Sequence, residues 1–241
     1  PTGESLTRQI LYGQRYFQQK FGVRHRVCWL PDCFGFSGGL PQLLKQGGID
    51  SFFTIKVNWN DTNTIPADLF WWEGIDGSRV LTHTFNNPWH GYNGAVNPLS
   101  ILKTWRNFMQ KPQHQTSLLA VGYGDGGGGV TPEFEASLGA AEKIAKKIYE
   151  LVDTEVQPTV SAVGHTHLDV GWLWRVMHTR DKTGRSFATV LALMAEYPQF
   201  VFMYNQSVLF DFLKQDYPEI WAGVLERVKA GQFEIEGAMW V

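Results

Sequence analysis

The chain has 241 residues with 21 Lys and Arg against 23 Asp and Glu, a net charge of −2, which argues against nucleic acid or an anionic membrane surface as a partner. That length fits one α/β barrel or one large layered domain, so a single domain over 1–241 is expected. Two cysteines, Cys28 and Cys33, are too few for a disulfide framework, and no apolar run approaches the roughly 20 residues that span a bilayer. With no basic-then-apolar signal pattern at the start, a cytoplasmic protein without a membrane partner is expected.

Apolar runs bounded by Gly, Pro, Asn or Asp alternate along the chain with amphipathic stretches. A helix is predicted over 4–21, where Leu6, Ile10, Phe17 and Phe21 recur at helical intervals, followed by a strand at 26–30. Next come a helix at 39–46, strands at 51–56 and 79–85, a helix at 100–109 carrying Leu102, Trp105 and Met109, and a strand at 117–123. The stretch 132–152 reads as a regular covering helix with Ile144, Ile148, Leu151 and Val152 on one stripe. A strand at 159–164, a helix at 185–196, a strand at 200–205, a helix at 208–229 and a strand at 232–236 complete the series. Seven strands that are apolar almost throughout, alternating with helices, predict a seven-stranded parallel (β/α) barrel; an open doubly wound sheet is the competing arrangement. In either fold, chemistry belongs where strands end and helices begin.

Three such ends carry carboxylates. After the strand at 26–30 comes Pro31-Asp32-Cys33-Phe34-Gly35, with Asp32 as a candidate site residue or a helix cap. After the strand at 117–123 comes Gly124-Asp125-Gly126 and three further glycines. Glycines there leave the backbone free to approach a bound group, although the Lys-Ser/Thr that closes a phosphate loop is missing. The third is Gly164-His165-Thr166-His167-Leu168-Asp169. Residues two apart on an extended strand point the same way, so His165, His167 and Asp169 can face one cavity. Two imidazoles and a carboxylate are the donors that a zinc ion takes, and hydrogen-bonded strand-end residues are the plainer alternative. Ten tryptophans, several beside polar groups as in Trp59-Asn60-Asp61 and Trp172-Leu173-Trp174, suit sugar rings with an apolar face and a hydroxyl rim, or else the core. Paired carboxylates at one rim are what glycoside hydrolysis requires.

The runs GHTHLDVGWLW, WLPDCFGFSGGLPQLLKQGGIDSFFTIKVNWNDTN, FWWEGIDGSRVLTHTF and GYGDGGGGVTPE cover well over half of the chain. They resemble the catalytic domain of the family 38 α-mannosidases, especially the branch with cytosolic and bacterial members. The resemblance implies a seven-stranded α/β barrel, a zinc cofactor and retaining hydrolysis of α-mannosidic linkages through a covalent mannosyl-enzyme. By matching motif it implies that His167, Asp169 and Asp32 are metal ligands, that Asp32 is also the nucleophile, and that Trp172 stacks on the mannose while Phe34 lines its pocket. Asp125 is the candidate general acid/base, although Golgi members have two consecutive aspartates where this chain has Asp125 and Gly126. His165 falls to a supporting role behind the ligands.

The chain departs from the family in two respects. The family opens on the HxHxD strand and reaches the WLPD and GDGGGG stretches later, so 154–241 corresponds to the first part of the family's catalytic domain and 1–135 to its later part; a circularly permuted order is expected. Family members also continue through helical and β-rich domains that supply a fourth zinc ligand, a histidine, and no matching run is present here. Impaired activity is expected for that reason, as is packing of those domains against this one. The expected partner is a mannose-containing oligosaccharide. The alternatives are a carbohydrate-binding or engineered scaffold module with a dead site, and a metal-dependent amidohydrolase, which would need further histidines at later strand ends.

Overall fold

The computed structural model describes residues 2–60, 62–84, 94–122, 159–237 and 239–240. Helix α1 (Gly3–Phe21) starts at a capping box in which the Thr2 side chain accepts from the Ser5 amide, and stops at Gly22, whose φ of 74° few residues other than glycine adopt. There follow β1 (Val27–Trp29), α2 (Leu40–Gln46), β2 (Ser51–Thr54), a single 3₁₀ turn (Lys56–Asn58), β3 (Leu69–Glu73), β4 (Arg79–Thr84), α3 (Pro98–Asn107) and β5 (Thr116–Val121). The remainder is β6 (Thr159–His165), α4 (Val176–Glu196), β7 (Phe202–Tyr204), α5 (Ser207–Asp216), α6 (Pro218–Lys229) and β8 (Phe233–Ile235).

Among the described residues the strands form two four-stranded sheets, in the orders β1-β2-β4-β3 and β5-β6-β7-β8. All seven expected strands are present as β1, β2, β4, β5, β6, β7 and β8, and each runs parallel to its neighbours among the seven. Strand β3 was not expected; it pairs antiparallel with β4, and Gly77 with φ 82° sits in the connecting turn. Among the described residues these hydrogen bonds do not close one barrel, and the architecture there is a mixed α/β fold with two largely parallel sheets.

Two helical expectations are corrected. The helix expected at 185–196 begins at Val176, because Thr179 and Thr183 turn inward and the Thr183 hydroxyl donates to the Thr179 carbonyl one turn back. The single helix expected at 208–229 is two, divided at Tyr217, because Pro218 cannot donate to the preceding turn and begins α6 instead. The helix expected at 132–152 and the glycine run with Asp125 lie outside the described residues.

The largest core cluster packs α4, α5 and α6 on the second sheet, with Phe187, Tyr204, Phe210 and Phe233 all but fully buried. A second joins α1 and α2 to the first sheet through Ile10, Leu40, Leu44 and Phe52. A third unites Trp29 and Phe53 of the first sheet, and Ile55 just after it, with Ala120 and Met203 of the second, and the rings of Trp29 and Phe53 stack at 3.7 Å. The inner faces of the two sheets therefore share apolar contacts, and the strand ends above this interior hold the polar groups. No helix among the described residues is long and apolar enough to cross a membrane.

Candidate metal centre and active site

Strand β6 ends at His165, and the chain beyond it carries His167 and Asp169 towards the end of β1, where Asp32 lies three residues past Trp29. One donor atom from each of Asp32, His167 and Asp169 lies within 4.8 Å of the other two. The His167 Nε2 atom is shared, 3.3 Å from Asp32 Oδ2 and 3.3 Å from Asp169 Oδ1. One imidazole nitrogen between two carboxylate oxygens is a donor set that fits zinc or a similar divalent ion, and an ion there would take the place of the shared proton.

His165 does not join this group. Its ring is buried, with Nδ1 3.2 Å from the Met203 carbonyl oxygen on β7 and Nε2 without a hydrogen-bond partner among the described residues. Burial pushes its pKa down to about 4. The alternation expected of His165, His167 and Asp169 does not put all three in one cavity: β6 ends at His165, whose buried ring lies against the Met203 carbonyl, while His167 and Asp169 meet Asp32.

The other oxygen of Asp32 is held by Lys56, with Nζ 2.9 Å from Oδ1. Sequence reasoning missed this lysine. The parallel register pairs Trp29 with Phe53, so Asp32 and Lys56 lie three residues beyond paired positions on adjacent strands and reach the rim together. Burial works against the ionised form of Asp32, but hydrogen bonds and charge from His167 and Lys56 outweigh it and hold the carboxyl at about 2. For His167, burial disfavours the charged ring, and Asp32 and Asp169 more than offset it, so its pKa is raised.

Aromatic rings border the carboxylate. Phe34 is 69% exposed and Trp59 is 51% exposed, and they meet edge to face with centroids 6.2 Å apart. The Lys56 ammonium lies 3.5 Å from the Trp59 ring centroid and 5.4 Å from that of Phe34. Trp172, 58% exposed, stands three residues past Asp169 in a loop braced from beneath. There the Trp174 indole donates to the Asp169 carbonyl at 3.2 Å, and the Thr179 hydroxyl donates to the Val170 carbonyl at 2.9 Å. This bracing, also unforeseen, ties the backbone of Asp169 to the first turn of α4.

Comparison with known proteins places the arrangement in context. Over 133 residues, 55% of this chain, it is 43% identical to the "Alpha-mannosidase" of Saccharomyces cerevisiae. Over 131 residues, 54% of the chain, it is 45% identical to "Alpha-mannosidase 2C1" of Homo sapiens. Each alignment spans only 12% of the relative's own length. An α-mannosidase crystal structure from Enterococcus faecalis V583 superposes on 68% of this chain and 17% of that one, with a TM-score of 0.42 and 18% identity. The family model described as the glycosyl hydrolases family 38 N-terminal domain matches residues 1–154 and 157–241, nearly the whole sequence, and the chain belongs to that family.

Proposed function

We propose that this chain carries the reaction centre of a zinc-dependent, retaining α-mannosidase acting on mannose-containing oligosaccharides. The observation that supports this reading most is the convergence of Asp32, His167 and Asp169 within 4.8 Å at the strand ends of a family 38 domain. Those three residues would hold the ion, which when bound supplies Lewis acidity towards the vicinal hydroxyls of the sugar.

The chain's own residues divide the remaining work. Asp32, kept ionised by Lys56 and His167, attacks C1 and forms an ester to the mannosyl group as the glycosidic C–O bond breaks. Asp125 gives its proton to the departing oxygen, then takes one from the water that cleaves the ester, so the anomeric configuration is retained and Asp32 is regenerated. Trp172 and Phe34 flank the sugar with exposed ring faces and keep bulk water from it. His165, anchored on Met203, supports the strand end that presents His167. Three protein donors leave the coordination sphere open, and the further histidine implied by the family resemblance would raise metal affinity.

Hydrolysis of 4-nitrophenyl α-mannoside in the presence of zinc, lost in Asp32→Ala, is the expected result. Sugar binding without turnover would reduce the chain to a binding module, and turnover that survives Asp32→Ala would refute the assignment of the nucleophile.

We also infer that the two sheets are parts of one barrel-like enclosure and that 154–241 precedes 1–135 in the family's order. In support, the Asn205 side chain donates to the Trp29 carbonyl at 2.9 Å, linking the ends of β7 and β1. The Trp240 amide donates to the Gln9 carbonyl at 3.1 Å, setting the residues after β8 against α1. A gene with the two segments exchanged should give a protein of the same zinc affinity; a product that binds no zinc would refute the order. The two thiols, Cys28 buried and Cys33 exposed, are unpaired, which suits a cytoplasmic setting.

A further inference from the structure

We propose that Trp59 is a positioning residue for the attacking carboxylate: its indole face seats the Lys56 ammonium and so keeps that charge on Asp32. The role of Asp32 rests on the α-mannosidase reading, whereas the seat itself does not.

The sequence Lys56-Val57-Asn58-Trp59 follows β2 as a single 3₁₀ turn. The Asn58 amide donates to the Ile55 carbonyl at 2.9 Å, and the Trp59 amide donates to the Lys56 carbonyl at 3.0 Å. Side chains three apart eclipse one another in such a turn, so the backbone itself brings the indole over the lysine. The ammonium lies 3.5 Å from the Trp59 ring centroid, well inside the roughly 6 Å over which a ring face attracts a cation, and 2.9 Å from Asp32 Oδ1. It is therefore gripped between a carboxylate and an aromatic face. A lysine stem is long and flexible, and an ion pair that must hold it in one geometry loses much of its worth to side-chain entropy. The indole supplies the second contact. Lys56 is buried, so water competes little with either partner and both contacts count for more than they would at the surface. Phe34 is the more distant ring, at 5.4 Å, and its interplanar angle of 77° to Trp59 makes it a buttress for the indole and a weaker seat for the charge. Trp59 remains half exposed, so leucine in its place removes the ring face without opening a core cavity. Released from the indole, the ammonium exchanges part of its time on Asp32 for water, and a dication held by the same carboxylate meets less repulsion.

The experiment uses Trp59→Leu and Trp59→Phe in the full chain, each alone and combined with Lys56→Met. Without zinc, proton–carbon NMR spectra of the parent should show one lysine ε-methylene signal displaced upfield by the indole ring current and absent in Lys56→Met. That signal should return to the ordinary lysine position in Trp59→Leu and stay partly displaced in Trp59→Phe. A parent spectrum with no displaced lysine signal would overturn the seat. Zinc affinity, from competition with a chelator, should rise roughly 3-fold in Trp59→Leu, the scale of one partly desolvated cation–π contact, and rise less in Trp59→Phe. In the Lys56→Met background neither substitution should change it. With zinc, kcat/KM on 4-nitrophenyl α-mannoside should fall in the same pattern, by roughly 3- to 10-fold in Trp59→Leu and not at all once Lys56 is gone. Effects of equal size with and without Lys56, or a Phe variant as impaired as the Leu variant, would overturn the proposal, because Trp59 would then act by some route other than the ammonium. Failure of the parent chain to hydrolyse the mannoside would count against the α-mannosidase reading, and the lysine signal and the zinc cycle would then decide the seat alone.

Discussion

Replacing Lys56 with Met should tighten metal binding while slowing hydrolysis. The ammonium and His167 together hold the Asp32 carboxyl at about 2 against the opposing pull of burial. The field of the Lys56 ammonium, 2.9 Å from Asp32 Oδ1, is worth on the order of 1–4 kcal/mol to a single positive charge at that carboxylate. A dication bound by the same carboxylate meets about twice that repulsion. Screening by water on the open side of Asp32, whose side chain is 24% exposed, reduces the effect to the order of a tenfold gain in zinc affinity. Methionine keeps much of the length of the lysine stem, so the change removes charge more than packing. The assay is competition for zinc against a chromophoric chelator at pH 7, with kcat/KM measured in parallel. Unchanged or weaker zinc binding in Lys56→Met would refute the electrostatic account of the site.

Two predictions concern the fold that supports it. A Cβ added at Gly184 in α4 would come within 2.6 Å of the Tyr217 ring, so Gly184→Ala should cost about 1–3 kcal/mol in urea unfolding, and a neutral result would contradict the packing at the junction of α5 and α6. Glu236, after β8, is pushed up to about 7 by burial and by Glu234. Because the folded carboxyl holds its proton to a higher pH than the unfolded one, its contribution is complete below about 4.5 and is lost as pH rises through about 7. Glu236→Gln should therefore stabilise the protein by about 1 kcal/mol at pH 8, after allowance for screening, and do almost nothing at pH 4.5. A gain that is the same at both pH values would refute the titration.

Much of this was legible in the residues. Buried parallel strands demand continuous apolar runs, so stretches such as Ser51–Thr54 and Phe202–Tyr204 announced themselves. Strand β3 escaped because its burial does not alternate cleanly, and the signal that could have found it was the Asp76-Gly77 turn before β4. The start of α4 was hidden because Thr179 and Thr183 look like surface residues, and their burial is a tertiary fact. At the site, strand-end motifs marked Asp32, His167 and Asp169 as candidates and the family resemblance grouped them as ligands in place of His165, whereas Lys56 carried no signal. It is 24 positions from Asp32, and only the register of β1 against β2 brings the two together. Trp59 was visible as one of several tryptophans beside polar residues; the ammonium over its ring distinguishes it.

The most direct test of the account is equilibrium zinc binding to the parent chain and to His167→Ala, Asp169→Ala and His165→Ala. One zinc per chain is predicted, with losses in the first two that exceed the roughly 10–100-fold typical of a supporting residue, and a loss within that range for His165→Ala. No zinc bound by the parent chain, or equal losses in all three variants, would contradict a single cation held by Asp32, His167 and Asp169.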